Sequence, residues 1–171
     1  VEPDYLAYAA NTTDVNTIPN DTDYPKQWGL EKIAAPAAWD VQTGSPTVVI
    51  AIVDSGLDLD HPDLQGRLWV NPGEIPSNGL DDDNNGLIDD VHGWNFVSEI
   101  ANLSDLNGHG TQVAGVAAAD TDNDLGIAGT CWGCRLMAVK VMSDAGVANY
   151  SDIAQGVVYA AQKGAKVINI S

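Results

Sequence analysis

The chain alternates short apolar runs with long polar stretches, and the runs differ in period. Thr47–Val53 (TVVIAIV) is continuous and β-branched, and is bounded by Ser45-Pro46 and Asp54-Ser55-Gly56. That pattern predicts a strand buried on both faces of a parallel sheet. Arg135–Met142 (RLMAVKVM) and Lys166–Ser171 (KVINIS) read as a second and a third strand. Ser151–Gln162 carries Ile153, Gly156, Val157, Tyr159, Ala160 and Ala161 at helical spacing, with Ser151 as its expected cap and Gly164 as its stop. Thr111–Ala119 is rich in small residues and predicts a closely packed helix. Gln27–Val41 shows a looser helical spacing (Leu30, Ile33, Ala34, Ala37, Ala38, Val41) interrupted by Pro36. Strands alternating with helices predict an α/β fold built on a parallel sheet with right-handed crossovers.

The polar stretches set the organisation. Residues 1–25 lack periodicity and read as an extended lead-in. Leu57–Leu64 is a loop. Residues 70–108 form a long excursion dense in Asn, Gly, Asp and Pro, and loops of that length inside a domain are usually functional or specially stabilised.

Composition narrows the class. A chain of 171 residues, 44% apolar, is enough for one domain with a real core. No apolar run approaches the ~18 residues that a membrane-spanning helix needs. The net charge of −17 argues against nucleic acid as a partner, because few cations are present to neutralise phosphates. It argues equally against anionic lipid surfaces. An acidic surface can simply solubilise a secreted or salt-adapted protein. Part of the acid is clustered, however: five of the ten residues Asp81–Asp90 are Asp, which points to a cation.

The candidate chemistry lies in two motifs. Asp54 ends the first strand in VDSGLD, and His109 opens the small-residue helix in NGHGTQVAG. Ligands and active sites in open α/β sheets gather at the carboxyl ends of strands. A buried carboxylate that holds one imidazole nitrogen lets the other nitrogen take a proton from a hydroxyl. Taken singly, an Asp at a strand end is commonly a turn residue and a His is commonly structural.

DSGLDLDHPDL (54–64), NGHGTQVAG (107–115), GIAG (126–129), AVKV (138–141) and VINIS (167–171) together resemble the subtilisin-like serine proteases, the subtilases, and most of all their thermitase-like branch. The resemblance runs from about Pro19 to Ser171, with the motifs in family order. It implies a three-layer α/β subtilisin-like fold, here ending after the third recognisable core strand. It implies that 19–171 is the N-terminal part of a catalytic domain. Asp54 would be the triad acid and His109 the general base of a serine endopeptidase acting on peptides or proteins. The family carries its oxyanion Asn and catalytic Ser further along than Ser171, so these 171 residues alone are expected to be inactive. Gly146, Val147, Ala148 and Ser171 would line the substrate; Ser171 is not the nucleophile. Gln112 stands where many relatives have a second His, a position outside the triad. The alternative, from another class, is a calcium-binding scaffold with the same fold and no catalysis.

Calcium takes six to eight oxygens. By the same resemblance, Asp21, Asp63 and Asn123 would supply side-chain oxygens to one calcium site. Asp120, Leu125 and Ile127 would supply carbonyls. The residues themselves suggest a second. Asp81, Asp83 and Asn85, followed by Gly86, match the start of a calcium loop. His92 stands where the closing Glu should be, and Asp89 or Asp90 would substitute. A solvated acidic loop is the bland alternative.

Cys131-Trp132-Gly133-Cys134 precedes a strand, whereas a thioredoxin-like CxxC follows one and opens a helix. Zinc would need two more well-spaced ligands. A small-loop disulfide, suited to an exported protein, is expected, with two reduced thiols as the alternative. Val1-Glu2-Pro3-Asp4-Tyr5 resembles the tail of the inhibitory propeptide that precedes subtilase domains. That would make 1–18 a lead-in carrying a propeptide tail, with the chain's own propeptide as an inhibitory partner; an ordinary N-terminal arm is the alternative, and the family resemblance implies an extracellular location.

Overall fold

The computed structural model describes residues 17–171, so the resemblance of Val1–Tyr5 to a propeptide tail, and nearly all of the lead-in, lie outside the described residues. Four parallel strands form one sheet: β1 (Val49–Asp54), β2 (Gly93–Asn95), β3 (Arg135–Lys140) and β4 (Val167–Ile170), in the order β2-β3-β1-β4. Every residue of the central β1 is buried, as its unbroken apolar run requires.

Alternation along the strands divides the core in two. Ile50 and Ile52 of β1, with Leu136 and Ala138 of β3, face helix α3 (His109–Ala118) through its Ala114 and Ala118. Val49, Ala51 and Val53, with Met137 and Val139, face the other way. They meet Tyr159 and Ala160 of helix α4 (Tyr150–Gln162). The result is three layers, α3, sheet and α4, set by the period of two in the strands. Before the sheet, two short helices, α1 (Trp28–Lys32) and α2 (Ala35–Trp39), form a third cluster in which Leu30 and Trp39 pack against Ala128 and Trp132.

The structure revises several expectations. The sheet has four strands rather than three, because β2 arises inside the 70–108 excursion. It is only three residues long and sits in an Asn/Asp/Gly-rich context, so it carries no periodic signal. Its pairing depends on close approach: a Cβ on Gly93 would lie 1.7 Å from the Ala138 carbonyl oxygen. The 27–41 stretch is interrupted as expected, but the break falls at Ile33-Ala34, where Ala34 adopts left-handed backbone conformation, and Pro36 sits in the first turn of α2. Ser151 lies within the first turn of α4 rather than capping it. The cap position is Asn149, whose amide donates to the Asp152 carboxylate at 2.9 Å. Cys131 and Cys134 form the expected disulfide.

Candidate active site

β1 delivers Asp54 to the carboxyl end of the sheet, where its side chain is fully buried. α3 begins at His109, and the imidazole Nδ1 lies 2.8 Å from Asp54 Oδ1. The approach depends on Gly110. A Cβ there would stand 2.2 Å from the Gly56 carbonyl oxygen, so a side chain at this position would push the helix off the strand end. The hydrogen bond to Asp54 and its charge raise the His109 pKa above the ordinary 6.5, with a smaller contribution from Asp105. The imidazole is about half exposed, with its other nitrogen free of hydrogen bonds among the described residues. It borders a cleft of about 520 Å³ lined also by Gln112, Val113, Val116, Val167 and Asn169. This geometry can hold an oriented base that accepts a proton at Nε2.

Asp105, which sequence reasoning passed over, organises the helix start. One of its oxygens accepts from Ser55 Oγ (2.8 Å) and the Gly108 amide (2.8 Å). The other accepts from the Thr111 amide (2.9 Å) and hydroxyl (2.7 Å). Ser55 Oγ in turn accepts from the Gly110 amide at 3.0 Å. Burial pushes the Asp105 carboxyl upward, but these four donors outweigh it and hold the group below its ordinary range. The acid therefore ties the residue after Asp54 to the residues flanking His109. Its place four residues before the His was the available signal.

The other expected residues fall as follows. Gly146, Val147 and Ala148 form a hairpin edge after β3, with Gly146 and Val147 exposed and Ala148 half-buried. Ala148 bridges Met142 antiparallel, and the Ser143 amide donates to the Val147 carbonyl at 2.9 Å. Ser171 Oγ takes a hydrogen bond from Asn169, not from His109.

Asp21 and Asp63 are both buried, at 3% exposure. Asp63 accepts from Asn123 Nδ2 (3.0 Å) and the Ile127 amide (2.9 Å), while one Asp21 oxygen accepts from the Asp122 amide (2.9 Å). The other Asp21 oxygen is buried with no partner among the described residues. The carbonyls of Asp120, Leu125 and Ile127 likewise accept no hydrogen bond among the described residues. Burial, reinforced by the Asp63 charge, raises the Asp21 pKa even though backbone amides partly offset it. A buried, unpartnered acidic oxygen on Asp21 and three carbonyls that accept no hydrogen bond are oxygen donors of the kind calcium prefers, so these residues fit it, although Asn123 turns its Nδ2 to Asp63 and its Oδ1 to the Leu125 amide.

The acidic loop sorts differently from its sequence pattern. Asp81 and Asp83 accept from the amides of Asn85 and Gly86, and Asp89 accepts from those of Asn78 and Gly79. Asp90 points inward, fully buried, to Tyr159 Oη (2.7 Å), Asn71 and Asn85. The acidic oxygens that converge belong to Asp83, Asp90 and Glu74, within 4.8 Å of one another, with one Glu74 oxygen buried and without a partner among the described residues. Lys163 bonds Asp83 and lies 3.2 Å from Asp90. Burial raises the Asp83 carboxyl, but Lys163 and Asn71 outweigh it and hold the group low. Glu74 and Lys163 join the loop only through the fold, so no local pattern announced them.

No helix of the described residues is long and apolar enough to cross a membrane. Comparison with known proteins adds the following. The model of the subtilase family matches residues 45–171. A thermophilic serine proteinase of Bacillus sp. (strain AK1) is 40% identical over 171 residues, covering 99% of this chain and 36% of that protein. Thermitase of Thermoactinomyces vulgaris is 40% identical over 154 residues, covering 90% of this chain and 47% of that protein. Among solved structures, a protease from Pseudoalteromonas arctica superimposes with a TM-score of 0.66 at 29% identity, covering 90% of this chain and 50% of the other. The chain thus spans half or less of the length of these relatives.

Proposed function

The chain belongs to the subtilase family, and from that premise we propose that Asp54 and His109 are the acid and base of a serine endopeptidase. The observation that carries the reading is the 2.8 Å contact between a fully buried carboxylate and the Nδ1 of a half-exposed imidazole that borders a cleft. Asp54 fixes the tautomer and steadies the imidazolium. His109 takes a proton at Nε2 from a serine hydroxyl as that oxygen attacks the scissile carbonyl, and returns it to the leaving amine. Residues 19–171 form the N-terminal part of the catalytic domain. Peptides or proteins are the substrates, the chain's own propeptide is the inhibitor, and the protein works outside the cell. The edge Gly146–Ala148 pairs with the substrate backbone as an added strand, with Ser171 at the end of the facing strand.

Calcium is held by Asp21, Asp63 and Asn123 with the carbonyls of Asp120, Leu125 and Ile127. A second ion is held in the 81–90 loop, where Glu74 joins Asp83 and Asp90. Bound calcium supplies the countercharge that the buried Asp21 and Asp63 lack, and in the second site adds to that of Lys163. Its role is to stabilise the loops, since none of these residues touches His109. A non-catalytic scaffold would not need the aligned Asp54–His109 contact. The test is hydrolysis of a peptide substrate by the full-length protein and its inactivation by a serine-directed acylating reagent. Hydrolysis blocked by the reagent is expected, whereas hydrolysis indifferent to it would sink the reading.

A further inference from the structure

Lys140 closes β3, whose residues between Arg135 and Lys140 are all apolar, and it is buried to 6% exposure. Alternation places it on the face of β3 that Leu136 and Ala138 present to α3, one residue pair beyond them at the carboxyl end of the sheet. It stands in register with Asp54. An apolar residue of similar volume would ordinarily serve stability at least as well there. The ammonium is instead fully used. It donates to the Ser55 carbonyl at 2.6 Å, the Ser104 carbonyl at 2.9 Å and Asp144 Oδ1 at 2.8 Å, which exhausts its three donors.

Those three acceptors come from three different connections. Ser55 follows Asp54. Ser104 precedes Asp105, the acid that clamps the backbone on both sides of His109. Asp144 opens the turn that shapes the 146–148 edge, through the Gly146 amide to the Ser143 carbonyl at 2.9 Å and the Ser143 amide to the Val147 carbonyl. A second tie runs parallel: Asn107 Nδ2, two residues before the base, donates to the Asp144 carbonyl at 3.1 Å.

We infer that Lys140 is a positioning residue that sets the edge 146–148 at a fixed distance from the Asp54–His109 pair, so that an extended peptide reaches the base in register. The inference rests on the proteolytic reading above. It makes Lys140 matter for substrates long enough to lie along the edge and little for those that are not.

The experiment compares full-length wild type, Lys140→Met and Asp144→Ala on two substrates with the same reactive residue, a tetrapeptide amide and a single-residue ester. Asp144 is half exposed in its side chain, so its truncation keeps the fold even where Lys140→Met does not, and thermal melting reports which has happened. Loss of a hydrogen bond to a charged group is expected to lower kcat/KM for the tetrapeptide by about tenfold or more, mostly through KM. The ester should fall by no more than about threefold. Equal losses on both substrates, or no loss for Asp144→Ala, would overturn the inference and leave the protease reading standing. Wild type inert on both substrates would overturn that reading and this inference with it.

Discussion

Gly110→Ala separates the two forces that act where the helix meets the strand end. Helix propensity alone favours the change: alanine in place of glycine stabilises a helix by up to about 1 kcal/mol. The fold opposes it. The new methyl would sit 2.2 Å from the Gly56 carbonyl oxygen and 3.2 Å from Asp54 Cβ. That is roughly 1 Å or more inside ordinary contact with the oxygen, and the obstacle is backbone that cannot swing away. Overpacking of this kind costs about 1–3 kcal/mol. Net destabilisation should be about 1–2 kcal/mol, a fall in Tm of roughly 2–8 °C for a domain of this size. The helix must also retreat from Asp54, and a displacement near 1 Å at a catalytic group costs about a hundredfold in rate. Circular dichroism melting and peptide hydrolysis by the full-length protein measure both effects. A higher Tm with unchanged kcat/KM would refute the claim that close approach at Gly110 positions His109.

Three further outcomes are expected. Because Asp54 raises the His109 pKa, kcat/KM should fall on the acid side with a midpoint above 6.5, and Asp54→Asn should move that limb to lower pH. The same shift makes the pair's contribution to stability complete below pH 6.5 and lost as pH rises through the folded pKa, which a pH series of melts would detect. Chelation should lower Tm by several degrees, since a ligand at a hundred times its Kd contributes about 2.7 kcal/mol. Asp21→Asn should abolish much of that difference, and identical melts with calcium and with EDTA would remove calcium from the account. Reducing Cys131–Cys134 should cost at most about 2 kcal/mol, because the closed loop is so short. A loss well beyond that would mean the bond anchors more than its own loop.

The strands and helices were legible where one residue period persisted for a full element. The six-residue run of β1, the near-continuous apolar run of β3 and the spacing of α4 all carried their own signal. β2 did not, because three residues are too few for a period and its pairing depends on a glycine approaching a distant strand. The Asp54–His109 pair was legible because each residue sits in a local glycine-flanked motif that the fold joins without altering. Asp105, Lys140, Glu74 and Lys163 act through partners 30 to 90 residues away or through burial. Their chemistry became visible only when the sheet brought the loops together. The 81–90 loop shows the same limit: the sequence pattern pointed Asp81, Asp83 and Asn85, with Asp89 or Asp90, at one centre, whereas Asp90 is drawn inward by Tyr159 and Asp89 is spent on backbone amides.

The central claim is that His109, oriented by Asp54, is the base that activates a serine for acyl transfer. Its most direct test is the rate of acyl-enzyme formation in full-length wild type and in His109→Ala, measured by stopped-flow burst with a chromogenic ester. The account predicts a fall of roughly 10⁴-fold or more, with the fold intact by melting. A burst of undiminished rate in His109→Ala would contradict it.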